Sequence, residues 1–109
     1  YTSDRIFSGG DLVSITVNIL YTSTNGQARK FAEEMVERNI VKAIRAEEGN
    51  EKYDYYFPLE DPESLLLIDR WKDEEAIEKH HKSEMMAQIN ELRKKYKLKM
   101  KVERFTDLP

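Results

Sequence analysis

Apolar and polar residues alternate from Val13 to Thr22. Val13, Ile15, Val17, Ile19 and Tyr21 fall on one side of an extended chain, and Ser14, Thr16, Asn18 and Leu20 on the other. This predicts a first strand whose apolar side meets helices and whose mixed side meets water or a lined cavity. After the turn Ser23-Thr24-Asn25-Gly26 the period changes to three and four. Ala28, Phe31, Ala32, Met35, Val36, Ile40, Ala43 and Ile44 form one stripe, predicting a long helix over about 27–48 with Gly49 as its left-handed stop. Residues 51–59 are aromatic and predict a strand, with Tyr53, Tyr55 and Phe57 on one face and Asp54 and Tyr56 on the other; the pattern leaves open which face points inward. Pro58 and the Glu60-Asp61-Pro62-Glu63 turn lead into a third strand, Ser64 to Trp71, which makes a hairpin with the second.

Asp73 then reads as the cap of a helix that turns Ala76, Ile77 and His80 or His81 inward. A bend near Lys82-Ser83 precedes a further helix, about 84–96, with Met85, Met86, Ile89, Leu92 and Tyr96 at helical spacing. From Lys97 to Phe105 Leu98, Met100 and Val102 alternate with Lys99, Lys101 and Glu103, a fourth strand. The order strand, helix, strand, strand, helix, strand packs most simply as a four-stranded antiparallel sheet with its helices on one face. Residues 13–109 are expected to form this single domain, and residues 1–12, with Ser8-Gly9-Gly10, a flexible arm. The helix-free face is expected to carry Leu20, Leu65, Leu67 and Trp71. A second copy, packed sheet to sheet, is the expected cover, burying on the order of 2,000 Å² or more.

Composition narrows the function classes. With 109 residues there is room for one core and no separate substrate domain. A net charge of -3 does not favour nucleic acid or an anionic membrane, and without cysteine there is neither disulfide nor thiolate metal site. No apolar run approaches the roughly 20 residues of a membrane span, and a cytoplasmic location is expected, with a processed leader left open because the chain begins at Tyr1. The basic stretch 93–104 reads as a solvated, lysine-guarded edge strand, or alternatively as a steering field for an anionic ligand. His80 and His81 are adjacent on a helix and point about 100° apart, so no metal site is expected.

Several stretches together resemble the antibiotic biosynthesis monooxygenase family: Arg45-Ala46-Glu47-Glu48-Gly49, Tyr53, Glu60-Asp61-Pro62, Asp69-Arg70-Trp71, Glu74-Glu75-Ala76 and His80. The resemblance runs from about Ser14 to Phe105. It implies a ferredoxin-like α+β domain that forms a dimeric α/β barrel. It further implies a cofactor-independent monooxygenase acting on a small aromatic phenol or quinol with dioxygen. Met85 stands where the family often has a second histidine, and His81 where an apolar residue is usual.

On this resemblance the expected catalytic residues are His80, drawing off a proton, Trp71, stacking on the substrate and donating its N–H, and Asn18, orienting the anion or dioxygen. Tyr53, Tyr55, Leu67 and Asp69 are the expected substrate-binding residues, although Asp69 with Arg70 also reads as a structural ion pair. The alternatives are a haem-binding or haem-degrading relative, an isomerase-like processor of a phosphorylated metabolite, and a non-catalytic binding dimer. The oxygenase reading expects Trp71 in the hollow that a second subunit closes, and not beneath the helices.

Overall fold

The computed structural model describes residues 13–108. The arm expected over residues 1–12 lies outside them. The elements follow as β1 (Ile15–Thr22), α1 (Gln27–Glu37), α2 (Ile40–Arg45), β2 (Asn50–Tyr56), β3 (Ser64–Trp71), α3 (Glu74–His81), α4 (Glu84–Lys95) and β4 (Lys99–Thr106). The four strands form one antiparallel sheet in the order β2-β3-β1-β4. This is the α+β, ferredoxin-like arrangement that the sequence predicts.

The predicted long helix is two helices. Asn39 adopts a left-handed φ of 60° between α1 and α2, a conformation Asn reaches more readily than most residues. The break rotates the apolar stripe. Val41 is buried along with Ile40 and Ile44, whereas Val36 and Ala43, expected inward, are exposed.

One sheet face, with α1 to α4 above it, makes the core. Tyr21, Phe31, Met35, Ile44, Leu65, Ile89 and Leu92 are among its fully buried side chains. Each contributes roughly 1.5–3 kcal/mol by leaving water. At the start of α1, Ser23 Oγ accepts the Ala28 N–H at 2.9 Å, and Glu63 accepts the Gly26 N–H at 3.0 Å. At the start of α3, Asp73 accepts the Ala76 N–H at 2.9 Å, as a capping residue does.

The expected assignment of sheet faces is corrected by the register. Ile15 pairs with Trp71, Val17 with Asp69 and Ile19 with Leu67. Directly opposed residues share a face, so Leu65, Leu67, Asp69 and Trp71 lie with the apolar side of β1, beneath the helices. Trp71 is 1% exposed there. The indole is therefore under the helices, and not on the uncovered face where it was expected. On β2, Tyr53 opposes Asp69 and Tyr55 opposes Leu67, placing both tyrosines on the helix side after a register shift between Asn50 and Lys52.

The open face carries Asn18, Leu20, Leu66, Ile68 and Phe105 instead. Arg70 on this face pairs with Glu51 at 3.1 Å and Asp107 at 2.6 Å, and not with Asp69.

Candidate active site

A cavity of about 210 Å³ opens between the sheet and α3 and α4. Val17, Ile19, Leu67, Ile77 and Ile89 make its apolar walls. Asp69, Trp71, His80 and Tyr53 line it as well, with Arg93, Arg104, Met100 and Val102 contributed by α4 and β4. The hollow therefore exists within one subunit, on the helix side.

Its polar centre is a chain of contacts. Glu47, in the bend after α2, receives Nδ1 of His80 at 2.8 and 3.0 Å on its two oxygens. Glu47 as acceptor makes Nδ1 the protonated nitrogen. The His80 ring lies on the Trp71 indole, with centroids 4.7 Å apart and 31° between planes. The indole Nε1–H donates to Asp69 Oδ2 at 2.6 Å. Asp69 Oδ1 is buried and has no hydrogen-bond partner among the described residues.

Burial sets the electrostatics. Loss of water pushes the Asp69 carboxyl up to about 6, against the opposing pull of the Trp71 N–H, of nearby His80, of its own backbone N–H and of Arg93. Burial also raises Tyr53 well above, and Tyr55 above, the usual tyrosine value, so both stay neutral phenols. Tyr21 is raised by burial in spite of Arg93, whose Nε–H donates to its hydroxyl at 3.0 Å. His81 is exposed at the cavity rim, its basicity lowered first by partial burial and then by His80.

The structure thus brings together His80, Trp71, Tyr53, Leu67 and Asp69. Asn18 does not join them. It sits on the open face between Ile68 and Glu103, its Oδ1 buried without a partner among the described residues. Tyr55 lies along the sheet from the cavity and lines a shallow groove with Phe57 and Arg29. The Trp71 N–H, expected to meet substrate, is engaged by Asp69. Glu47, which holds His80 from outside the cavity lining, and the lining residue Arg93 were not foreseen. Glu47 lies within the recognised Arg45–Gly49 stretch, but its partner is 33 residues away. Arg93 read only as part of the basic stretch.

The fold and cavity define a small α+β protein with a mostly apolar chamber lined, among the described residues, by one carboxylate, two imidazoles and two guanidinium groups. The antibiotic biosynthesis monooxygenase family matches residues 14–92, and the chain belongs to this family. The "Putative monooxygenase YcnE" of Bacillus subtilis (strain 168) is 33% identical over 46 residues, which are 42% of this chain and 48% of that protein. The chain therefore matches about half the length of that curated relative.

Solved structures share the fold. A Bacteroides thetaiotaomicron protein superposes with a TM-score of 0.77 at 21% identity, covering 87% of this chain and 98% of that one. A Deinococcus radiodurans protein described as a "putative antibiotic biosynthesis monooxygenase" gives 0.76 at 18% identity, covering 87% and 93%. SnoaB of Streptomyces nogalater, described as a cofactor-independent oxygenase, gives 0.73 at 14% identity, covering 89% and 95%.

Proposed function

We propose that this protein is a cofactor-independent monooxygenase that oxidises a small phenol or quinol with dioxygen in the cavity between sheet and helices. The observation that carries the reading is the meeting of Trp71, His80 and Asp69 on one wall of an apolar chamber. A hydroxylated aromatic ring matches the apolar lining, and its hydroxyl matches the acceptors at the floor. Removal of the hydroxyl proton makes the ring electron-rich enough to reduce dioxygen. Recombination and loss of water then leave a quinone. The chain's contribution is positioning and exclusion of water.

Haem does not suit this cavity. About 210 Å³ lies below the roughly 300–1,000 Å³ typical of drug-sized ligand pockets, and the ligand-capable His80 is clamped between Glu47 and the indole.

The working form is proposed to be a homodimer packed through the open face. Leu20 and Phe105 are 37% and 50% exposed there, beside the half-buried Leu66 and Ile68. Light scattering is expected to give twice the chain mass, with Ile68→Asp giving the monomer. A native monomer would refute the dimer.

Oxygen uptake with a panel of hydroquinones and phenols tests the activity. Trp71→Phe and His80→Ala are each expected to lower uptake by at least about tenfold, a loss within the range of positioning and acid–base effects. Uptake unaffected by both substitutions would remove the cavity as the site of reaction.

A further inference from the structure

We propose that Asp69 is the catalytic base of this cavity, its Oδ1 taking the hydroxyl proton of a substrate that enters as a neutral aromatic alcohol. His80 is then a positioning residue. This rests on the oxygenase reading for the reaction, but not for the binding preference.

The two oxygens of Asp69 differ. Oδ2 accepts the indole N–H at 2.6 Å, and Oδ1, itself buried, has no partner among the described residues. A carboxylate oxygen buried without a donor is uncommon in a folded protein and calls for one. Asp69 is among the residues that line the chamber, and an O–H group entering there is the donor proposed for Oδ1. His80 has its Nδ1 committed to Glu47 and one ring face committed to Trp71, which leaves Nε2 as its remaining acceptor and the competitor that the His80→Gln variant tests. Those contacts hold the indole, and the indole holds Asp69.

Other charged and titratable groups bear on the same point. Arg93 from α4 and His80 from α3 favour the ionised carboxylate. Arg104 reaches the chamber from β4, where it opposes Val17, the β1 partner of Asp69. Arg104 is itself paired with Glu74 at 2.7 Å. Tyr53, opposite Asp69 on β2, and Tyr21 on β1 are held neutral. Arg93 and Arg104 put positive charge on the chamber walls, but at Oδ1 itself a second anionic oxygen is disfavoured and an O–H donor is accepted.

In the step proposed, the substrate O–H bond breaks, the proton moves to Oδ1 and the electron pair stays on the substrate oxygen. Oδ2 keeps the indole N–H throughout. Dioxygen takes the electrons and forms a bond to the ring carbon, and the resulting peroxide takes the proton back from Asp69. Asp69 then accepts the hydrogen of that carbon as a proton while the O–O bond breaks, and gives it to the departing hydroxide. One phenol and one dioxygen yield one quinone and one water.

The tests read Asp69 with and without turnover. Trp71 is the sole tryptophan, so its fluorescence reports the contact with Asp69. The wild-type emission is expected to titrate with a midpoint near pH 6. The titration should persist in His80→Gln, which removes the other ring against the indole, and disappear in Asp69→Asn. A titration that survives Asp69→Asn, or is abolished by His80→Gln, would overturn the assignment. With an oxidised substrate, Asp69→Asn should lower kcat about 100-fold or more, in the range of general-base losses, and KM less than about threefold. A kcat within tenfold of wild type would also overturn it.

Should no panel compound be oxidised, binding still decides, and the oxygenase reading fails separately. 4-Nitrophenol, followed by quenching of Trp71, should bind at least about tenfold more tightly as the neutral phenol than as the phenolate, a preference of about 1.4 kcal/mol that Asp69→Asn abolishes. Equal binding of the two forms by wild type would refute the proposal. Asp69→Ser serves the same measurements if the Asn variant does not fold.

Discussion

Asp69→Asn is expected to be more stable than the wild type at pH 7.5, by up to about 2 kcal/mol, while losing turnover; such trade-offs are common where active sites hold unfavourable groups. In the folded protein the carboxyl titrates at about 6, against 3.8 as the ordinary value. The folded pKa is raised, so the folded state binds more protons than the unfolded state between these two values. Stability therefore falls as pH rises from 3.8 through 6 and stays at the lower level above it. The interval corresponds to about 3 kcal/mol at 1.36 kcal/mol per unit. Part of that gain is offset in the variant. The Asn carbonyl can keep the indole N–H, but its NH2 replaces an unpartnered oxygen with an unpartnered donor, which costs about 1–3 kcal/mol. Urea unfolding at pH 4.5 and 7.5 separates the two effects. The wild type should lose stability between these values relative to Asn, and an identical pH dependence in the two proteins would contradict the buried-carboxylate account.

The sequence made the elements readable and left the faces ambiguous, for a physical reason. β1 alternates cleanly, so its buried side could be read from Val17, Ile19 and Tyr21. β3 is apolar on both sides, Leu65 and Leu67 against Leu66 and Ile68, and only the pairing of Ile15 with Trp71 decides between them. A slip by one residue exchanges every side chain between core and open face. The expectation placed Leu67 and Trp71 on the open side for want of that register, and Asn18 entered the candidate site with them. The resemblance did select Trp71 and His80 as neighbours. It carried no role for Glu47, because the contact from the bend after α2 to α3 exists only after the chain has folded. The interruption at Asn39 was hidden because the apolar residues run on through it without a gap. Asp69 was legible as a candidate site residue, but its unequal oxygens follow from burial and from the direction of one indole N–H, which no spacing records.

Gly49→Ala is expected to destabilise the protein by on the order of 3 kcal/mol, and to weaken the site with it. Gly49 has φ 90°, where a side chain adds about 1–2 kcal/mol of strain. A Cβ there would also stand 2.6 Å from the Cβ of Ala76 and 3.2 Å from Cγ of Lys72. That second effect is overpacking, typically about 1–3 kcal/mol. Gly26 separates the two, since its φ of 72° is similar and nothing lies within 4 Å of its would-be Cβ. Gly26→Ala should therefore show the conformational part alone. The close approach of Gly49 joins the start of β2 to the first turn of α3, reinforced by the Lys72 N–H donating to the Gly49 carbonyl at 2.8 Å. Ala76 lies one turn before His80 on that helix, and Glu47 lies two residues before Gly49. Forcing Gly49 and Ala76 apart therefore lengthens the His80–Glu47 contact. Adding Ala76→Gly to Gly49→Ala should recover the overpacking part, a coupling of about 1 kcal/mol or more in a double-mutant cycle. Additive losses would mean that the helix tolerates the approach, and that the clamp on His80 does not depend on this glycine.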